Sequence, residues 1–151
     1  LITSSVNWVL AQRLVRSLCK QCKAPIEVDQ AYINQTGLRR YVEGATQTIY
    51  QARGCDACLH TGYAGRTGIH ELFVLDDVMH RVIMGGADAT VLHNTARQQG
   101  MITLYEDGLR KVVQGVTSME EVLRVTQDQS EDSAFDTEVH VEIPAAEFMS
   151  G

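Results

Sequence analysis

Cys19-Lys-Gln-Cys22 and Cys55-Asp-Ala-Cys58, two C-x-x-C motifs separated by 32 residues, decide the fold of this chain. Two residues between paired cysteines let both thiolates reach one ion, and two such pairs complete the four-sulfur tetrahedral set that structural zinc prefers. We therefore predict that Cys19, Cys22, Cys55 and Cys58 bind a structural Zn2+ ion. The ion would staple the segment between them into a small subdomain.

Other uses of paired cysteines fit this sequence less well. A redox dithiol is typically a single pair that opens a helix in a βαβ unit, and disulfides are typical of smaller secreted chains. Covalent haem requires a histidine directly after the second cysteine, but Leu59 precedes His60. An iron–sulfur cluster uses the same ligands and stays open. We expect His60 to be a hydrogen-bonding neighbour of the site rather than a ligand.

Charge is distributed unevenly along the chain. Residues 1–70 carry eight Lys and Arg against four Asp and Glu, whereas residues 71–151 carry five against fifteen. The net charge of −6 and the scattered aromatic residues do not favour a nucleic-acid interface. The length of 151 residues fits one domain of usual size or two small pieces. The 44% hydrophobic content fits a folded soluble protein, and no apolar run approaches membrane-spanning length.

A helix is predicted over residues 1–18. Apolar residues recur there at near-helical spacing, and Arg13 and Arg16 flank the apolar stripe. Because this helix would lead directly into Cys19, we expect it to be the end of a preceding domain in a larger protein. The stripe consists of Ile2, Val6, Val9, Leu10, Leu14, Val15 and Leu18.

The region 19–75 is predicted to be a zinc-binding subdomain with a short antiparallel sheet. A short helix is expected over 29–38, and strands are expected over 48–52 and 69–75. Three glycines in the run Thr61–Gly68 predict tight turns or a close backbone approach.

The region 76–126 is predicted to be a helical bundle, which makes the chain α+β. Asp76 or Asp77 can cap the first helix, and Asp88 or Thr90 the second. Capping-box patterns begin at Thr103 and Thr117. The stretch 127–151 is acidic and has no sustained periodicity, so we expect a disordered or weakly ordered tail.

The sequence contains no self-contained active site. No Gly-Lys pair of a P-loop occurs, and Arg66 stands in the glycine-rich run where such a loop would carry its lysine. Neither a G-x-S-x-G nor an H-E-x-x-H motif is present. We therefore predict no catalytic or nucleotide-binding residue in this chain.

Several motifs, in order, resemble one family. They are Val9-Leu-Ala-Gln-Arg-Leu-Val-Arg16, the two cysteine pairs, Thr61-Gly-Tyr-x-Gly-Arg-Thr-Gly-Ile-His-Glu71, and the closing run from Glu106 to Val125. These residues look like the C-terminal part of the type II secretion and type IV pilus assembly ATPases. The resemblance covers about residues 1–126, and it does not separate the secretion branch from the pilus branch.

The resemblance implies a cytoplasmic hexameric motor, peripheral to the bacterial inner membrane, whose RecA-like domain hydrolyses ATP with Mg2+ upstream of this segment. It implies an inner-membrane platform protein and a membrane recruiter as partners, and no nucleic acid. The four cysteines match the family's metal ligands. Three arginines, Arg13, Arg16 and Arg66, match family positions too, which implies a role in packing, subunit contacts or the nucleotide environment. As the alternative, Arg13 and Arg16 form only the solvated face of a helix.

Three functional classes follow from these observations. The first is a fragment of an ATP-driven motor that is inactive in hydrolysis by itself. The second is a stand-alone zinc-stapled module that binds protein partners, and the third, a zinc-ribbon nucleic-acid binder, is opposed by charge and composition. If the zinc subdomain contacts the platform protein, charge reversal at Arg39 and Arg40 is expected to weaken that contact.

Overall fold

The computed structural model describes residues 5–127, and its strands and helices confirm the predicted α+β class. Two antiparallel two-stranded sheets and five α-helices are present in that part of the chain. Short 3-10 turns cover Leu38–Arg40 and Asp56–Cys58. The elements are β1 (Trp8–Leu18), β2 (Ala24–Val28), α1 (Gln30–Thr36), β3 (Gln47–Gln51), β4 (Tyr63–Val74), α2 (Asp77–Met84), α3 (Ala89–Gln98), α4 (Leu104–Val113) and α5 (Met119–Gln127).

The helix predicted over 1–18 is wrong: the strand β1 occupies Trp8–Leu18 and pairs with β4 as an antiparallel ribbon. The misleading signal was the four-residue spacing of Leu10, Leu14 and Leu18. Residues four apart share a face of a helix, but they also share a face of a strand, because four is a multiple of its two-residue period. The β-branched residues Val9 and Val15 favour the strand.

Most of the glycine-rich run, residues 63–68, is part of β4 rather than a series of tight turns. The ribbon register passes from Arg16↔Arg66 to Leu18↔Tyr63, which places a bulge at Gly65, whose φ is +80°. Gly62 fits the alternative expectation of close approach, since a Cβ there would lie 2.6 Å from the Cβ of Ala52.

Between the cysteine pairs, the predicted helix and strand are confirmed, whereas the sequence did not predict β2. β3 and α1 occupy the expected segments; the Asp29 carboxylate accepts from the Tyr32 N–H at 2.8 Å, and Gly37 ends α1 in the left-handed conformation. Pro25 lies in β2, which is tolerable because a two-stranded sheet consists of edge strands.

Helices α2 to α5 lie where the capping residues predicted them. Asp76 and Asp88 cap α2 and α3, and Thr103 forms the expected capping box at α4. The cap of α5 differs by one residue: Ser118 Oγ accepts from the Glu121 N–H at 3.2 Å, whereas Thr117 donates its hydroxyl to the Arg16 carbonyl at 2.8 Å.

The helices form two pairs rather than one bundle. The α2–α3 pair buries Met79, Ala96 and Met101 against Phe73 of β4. The α4–α5 pair shares its core with α1, β2 and β3, so residues on both sides of the predicted boundary at 75/76 pack in one cluster. That cluster contains Val28, Tyr32, Ile33, Leu38, Val42, Ile49, Leu109, Val112, Met119 and Val122.

The turn before α5 covers the end of β1. The Leu18 N–H donates to the Val116 carbonyl at 2.8 Å, and the Arg16 N–H donates to the Glu121 carboxylate at 2.8 Å. The predicted tail over 127–151 lies outside the described residues except for Gln127, the last residue of α5. Within 5–127, no helix is long and apolar enough to cross a membrane.

Candidate metal centre

The ribbon delivers both cysteine pairs to one place. Cys19 follows β1 directly, and its N–H donates to the Gly62 carbonyl at 2.9 Å, which fixes the first pair beside the start of β4. Cys55 and Cys58 lie at the two ends of a 3-10 turn just before that strand. Cys19 and Cys58 are buried, while Cys22 and Cys55 are half-buried.

The four sulfurs form a cage of the size that one tetrahedral ion requires. All four Sγ atoms lie within 4.8 Å of one another, and the pairs Cys19–Cys55, Cys22–Cys58 and Cys55–Cys58 are 3.9, 3.8 and 3.8 Å apart. A tetrahedral zinc with Zn–S bonds of about 2.3 Å places its ligands about 3.8 Å from one another. The separations exceed a disulfide bond of about 2.05 Å, and all four cysteines are free.

Backbone N–H groups point at the sulfurs and favour thiolates. The Gly54 N–H donates to Cys22 Sγ at 3.3 Å, and the Cys55 and Gly62 N–H groups donate to Cys58 Sγ at 3.2 Å each. Burial opposes ionisation of Cys58, but these two backbone bonds and the neighbouring thiols lower its pKa to about 6. Burial and the adjacent sulfurs raise the pKa of Cys22 to about 12. Because like charges this close cannot all ionise unaided, the donor set suits a divalent cation.

His60 is a neighbour of the cage, as the sequence predicted. Its imidazole Nε2 lies 2.9 Å from the Asp56 carboxylate, and its backbone N–H donates to the Cys55 carbonyl at 2.8 Å. The His60 side chain is largely exposed. A cluster would spread its cysteines over several iron atoms, whereas the four sulfurs here surround a single point. The geometry therefore favours one ion over a cluster.

The three arginines singled out in the sequence lie in different environments. Arg13 and Arg66 are exposed on the ribbon. Arg16 contacts two elements: its guanidinium donates to Glu121 through Nε at 2.9 Å and Nη2 at 2.7 Å, and it lies 4.1 Å from the centroid of the Tyr63 ring. Arg16 is therefore a packing residue that joins the β1–β4 ribbon to α5.

Glu121 is the residue that sequence reasoning missed. Its side chain is fully buried and accepts from Arg16 and from Arg124, whose Nε and Nη2 lie 2.8 and 3.0 Å from its oxygens. Although burial works in the opposite direction, these bonds lower the pKa of Glu121 to about 2. In the sequence, Glu121 looks like an ordinary first-turn acid, and its partner Arg16 is 105 positions away.

Comparisons with known proteins point to one family. The family model described as type II/IV secretion system protein matches residues 1–124. The chain is 44% identical over 126 residues to the type IV pilus assembly ATPase PilB of Thermus thermophilus, covering 83% of this chain and 14% of that protein. It is 44% identical over 131 residues to type II secretion system protein E of Dickeya dadantii, covering 85% and 25% respectively. Over 128 residues it is 44% identical to type II secretion system ATPase E of Vibrio cholerae, covering 85% of this chain and 25% of that protein.

The chain belongs to the type II/IV secretion system protein family. It spans between 14% and 25% of the length of these three relatives. The relatives are named as ATPases or components of secretion and pilus machines, and both branches are represented at the same identity.

Proposed function

We propose that this chain is the metal-stapled C-terminal part of a motor ATPase that powers type II protein secretion or pilus assembly. The observation that carries the proposal is the family match over residues 1–124, within which the four cysteines converge on one cage. Residues 19–75 would be the zinc subdomain and 76–126 the C-terminal helical subdomain. Zn2+ would be structural, because four thiolates leave no coordination position open for water.

ATP and Mg2+ would bind only to an upstream domain of the parent protein. The sequence has no P-loop, so we expect no ATP hydrolysis by the 151-residue chain alone. Steady-state phosphate release from the purified chain tests this directly. Hydrolysis above a buffer control that survives further purification would contradict the division of labour.

The β1–β4 ribbon supports an upstream domain. One face carries Trp8, Leu10 and Leu14 together with Leu72 and Val74 across the ribbon, and each of these side chains is 48–60% exposed. Exposed apolar patches of this kind mark interaction sites. In a free-standing interaction module, the alternative function, a separate partner protein would cover this face instead.

The outer edge of β1 points to the same conclusion. The outward direction of the Arg16 N–H shows that even-numbered residues of β1 turn their backbone groups away from β4. In the described part of the chain no further strand pairs with the edge from Trp8 to Leu14. A long, apolar, unpaired edge is a template for another strand. We infer that the preceding RecA-like domain supplies it, so that β1, rather than a helix, forms the junction.

A chimera tests the function and separates the two branches. Residues 1–126 would replace the matching segment of the Vibrio cholerae type II secretion ATPase or of the Thermus thermophilus pilus ATPase, followed by secretion and piliation assays in strains lacking each protein. We expect activity in one branch, and loss of it in the matched chimera carrying Cys55→Ser. Two soluble, hexameric chimeras that restore neither process would contradict the proposal.

The same proposal includes hexamer formation, an inner-membrane platform protein and a membrane recruiter as partners, and a peripheral location at the cytoplasmic side of the inner membrane. They rest on the family, and no contact to nucleic acid is proposed. Gel filtration with light scattering of the full-length parent would test the hexamer. Co-purification with the membrane fraction would test the location.

The platform contact requires a different test from charge reversal at Arg39 and Arg40. Arg39 donates to the carbonyl oxygens of Val42, Glu43 and Gly44, and Arg40 pairs with Glu106 at 3.4 Å, so reversing either charge would disturb the fold. Lys20 and Arg53 are exposed beside the cysteine cage. We expect Lys20→Glu with Arg53→Glu to weaken pull-down of the platform protein, and an unchanged pull-down would exclude this surface.

A further inference from the structure

A basic pocket lies at the cysteine end of the ribbon. It has a volume of about 300 Å³ and is lined by Arg16, Thr61, Tyr63, Gly65 and Arg66. Two of its five residues are arginines, and none is acidic. This composition is typical of a site for an anion, and phosphate in particular suits the planar fork of donors that arginine presents.

Arg16 is held in position before any ligand arrives. Glu121 engages its Nε and Nη2, and the Tyr63 ring lies beneath the guanidinium at 4.1 Å. Tyr63 is itself fixed by a 2.8 Å hydrogen bond between its hydroxyl and Ser118 Oγ. The bonds to Glu121 leave Nη1 of Arg16 for a ligand, and no side-chain entropy is lost in using it.

Arg66 faces Arg16 across the ribbon. The two residues form a pair whose backbone groups point outward, the type in which side chains are closest. Like charges placed directly opposite each other are destabilising. Among the described residues, Arg66 makes no salt bridge that would offset this repulsion, whereas Arg16 has Glu121.

The bulge at Gly65 completes the site. It shifts the register between Arg66 and Tyr63, so that both residues border Arg16 on one side of the ribbon. A Cβ at Gly65 would meet no atom within 4 Å, which leaves that side of the pocket open to solvent and to a ligand. The pocket therefore contains the prepositioned guanidinium of Arg16 and, among the described residues, the guanidinium of Arg66 without a salt bridge.

We propose that Arg16 and Arg66 together bind a phosphate group. The source is either a small soluble phosphate, for which pyrophosphate is the probe, or the phosphate of an anionic lipid headgroup. The inference does not depend on the motor function, since it rests on the pocket alone.

The test compares Arg66→Gln with Arg81→Gln, which removes the same charge from an exposed position on α2. Calorimetric titration of the 151-residue chain with pyrophosphate forms the first arm. The second arm is co-sedimentation with phosphatidylcholine vesicles that contain phosphatidic acid, against vesicles without it. We expect Arg66→Gln to weaken binding about ten-fold, Arg81→Gln to change it less than about two-fold, and Arg66→Lys to fall between them.

Each outcome decides the proposal. Pyrophosphate binding that depends on Arg66 supports a soluble phosphate ligand, and Arg66-dependent binding to acidic vesicles alone supports a lipid headgroup. Absence of binding in both arms, or equal losses for Arg66→Gln and Arg81→Gln, overturns the phosphate site while leaving the family assignment unaffected.

Discussion

Replacement of Glu121 by glutamine is the sharpest test of how the β1–β4 ribbon is joined to α5. The fully buried carboxylate accepts five hydrogen bonds: three from the backbone and side chain of Arg16 and two from Arg124, all between 2.7 and 3.0 Å. Glutamine keeps the shape but removes the charge, and its amide N–H2 would face guanidinium donors.

The expected cost follows from the geometry. Removing one partner of a buried ion pair costs about 3–5 kcal/mol. The Arg16 and Arg124 side chains are 44% and 55% exposed, so water can solvate them in the variant. We therefore expect Glu121→Gln to lower the free energy of unfolding by about 2–3 kcal/mol, measured by urea denaturation at pH 7 with circular dichroism.

Glu120→Gln is the matched control, because Glu120 is the exposed neighbour on the same helix turn. It removes the same charge and is expected to change stability by less than about 0.5 kcal/mol. Equal values for Glu121→Gln and Glu120→Gln would refute the structural role of the buried carboxylate.

The pH dependence provides an independent check. The folded pKa of Glu121, about 2, lies below the ordinary value of 4.5, so its stabilisation is fully present above pH 4.5 and is lost as the pH falls toward 2. This pKa difference corresponds to at most about 3 kcal/mol, and we expect about 1–2 kcal/mol because water screens the half-exposed arginines. The stability gap between wild type and Glu121→Gln should narrow by that amount across this range, whereas a constant gap would contradict the pKa assignment.

Two further substitutions test packing between the elements. A Cβ at Gly108 would lie 2.5 Å from Val122 Cγ1, so Gly108→Ala should destabilise the chain by about 1–3 kcal/mol. The double variant Gly108→Ala with Val122→Ala should lose less stability than the sum of the two single variants. Additive losses would argue against this close approach. Lys23 Nζ donates to the Gly115 carbonyl at 2.8 Å, so Lys23→Met should lower the free energy of unfolding by about 1 kcal/mol. The control Lys20→Met, at an exposed position, should leave the free energy of unfolding unchanged. Similar thermal midpoints for Lys23→Met and Lys20→Met would show that this contact contributes nothing.

Local chemistry was sufficient to predict much of the fold. The caps at Asp76, Asp88 and Thr103 and the cysteine spacing each depend on residues close together in sequence, and the structure places all of them as expected. β1 was missed because a four-residue apolar spacing satisfies a helix and a strand alike. Only its pairing with β4 selects the strand.

Long-range partners could not be predicted from the sequence. Thr117-x-x-Glu120 and Ser118-x-x-Glu121 both fit the capping-box pattern. Ser118 caps α5, and the Thr117 hydroxyl donates instead to the carbonyl of Arg16 in β1. The same limitation applies to the burial of Glu121 and to the pocket formed by Arg16 and Arg66. These features follow from the β1–β4 register and from the packing of α5 against it.

The metal content of the purified chain tests the zinc assignment most directly. Elemental analysis is expected to find one zinc per chain in the wild type and almost none in Cys55→Ser. Because α4 and α5 share their core with α1, β2 and β3, unfolding of the 19–70 region in Cys55→Ser is expected to destabilise these two helices as well. Absence of zinc from the wild type, iron in its place, or full zinc content in Cys55→Ser would contradict the four-thiolate site.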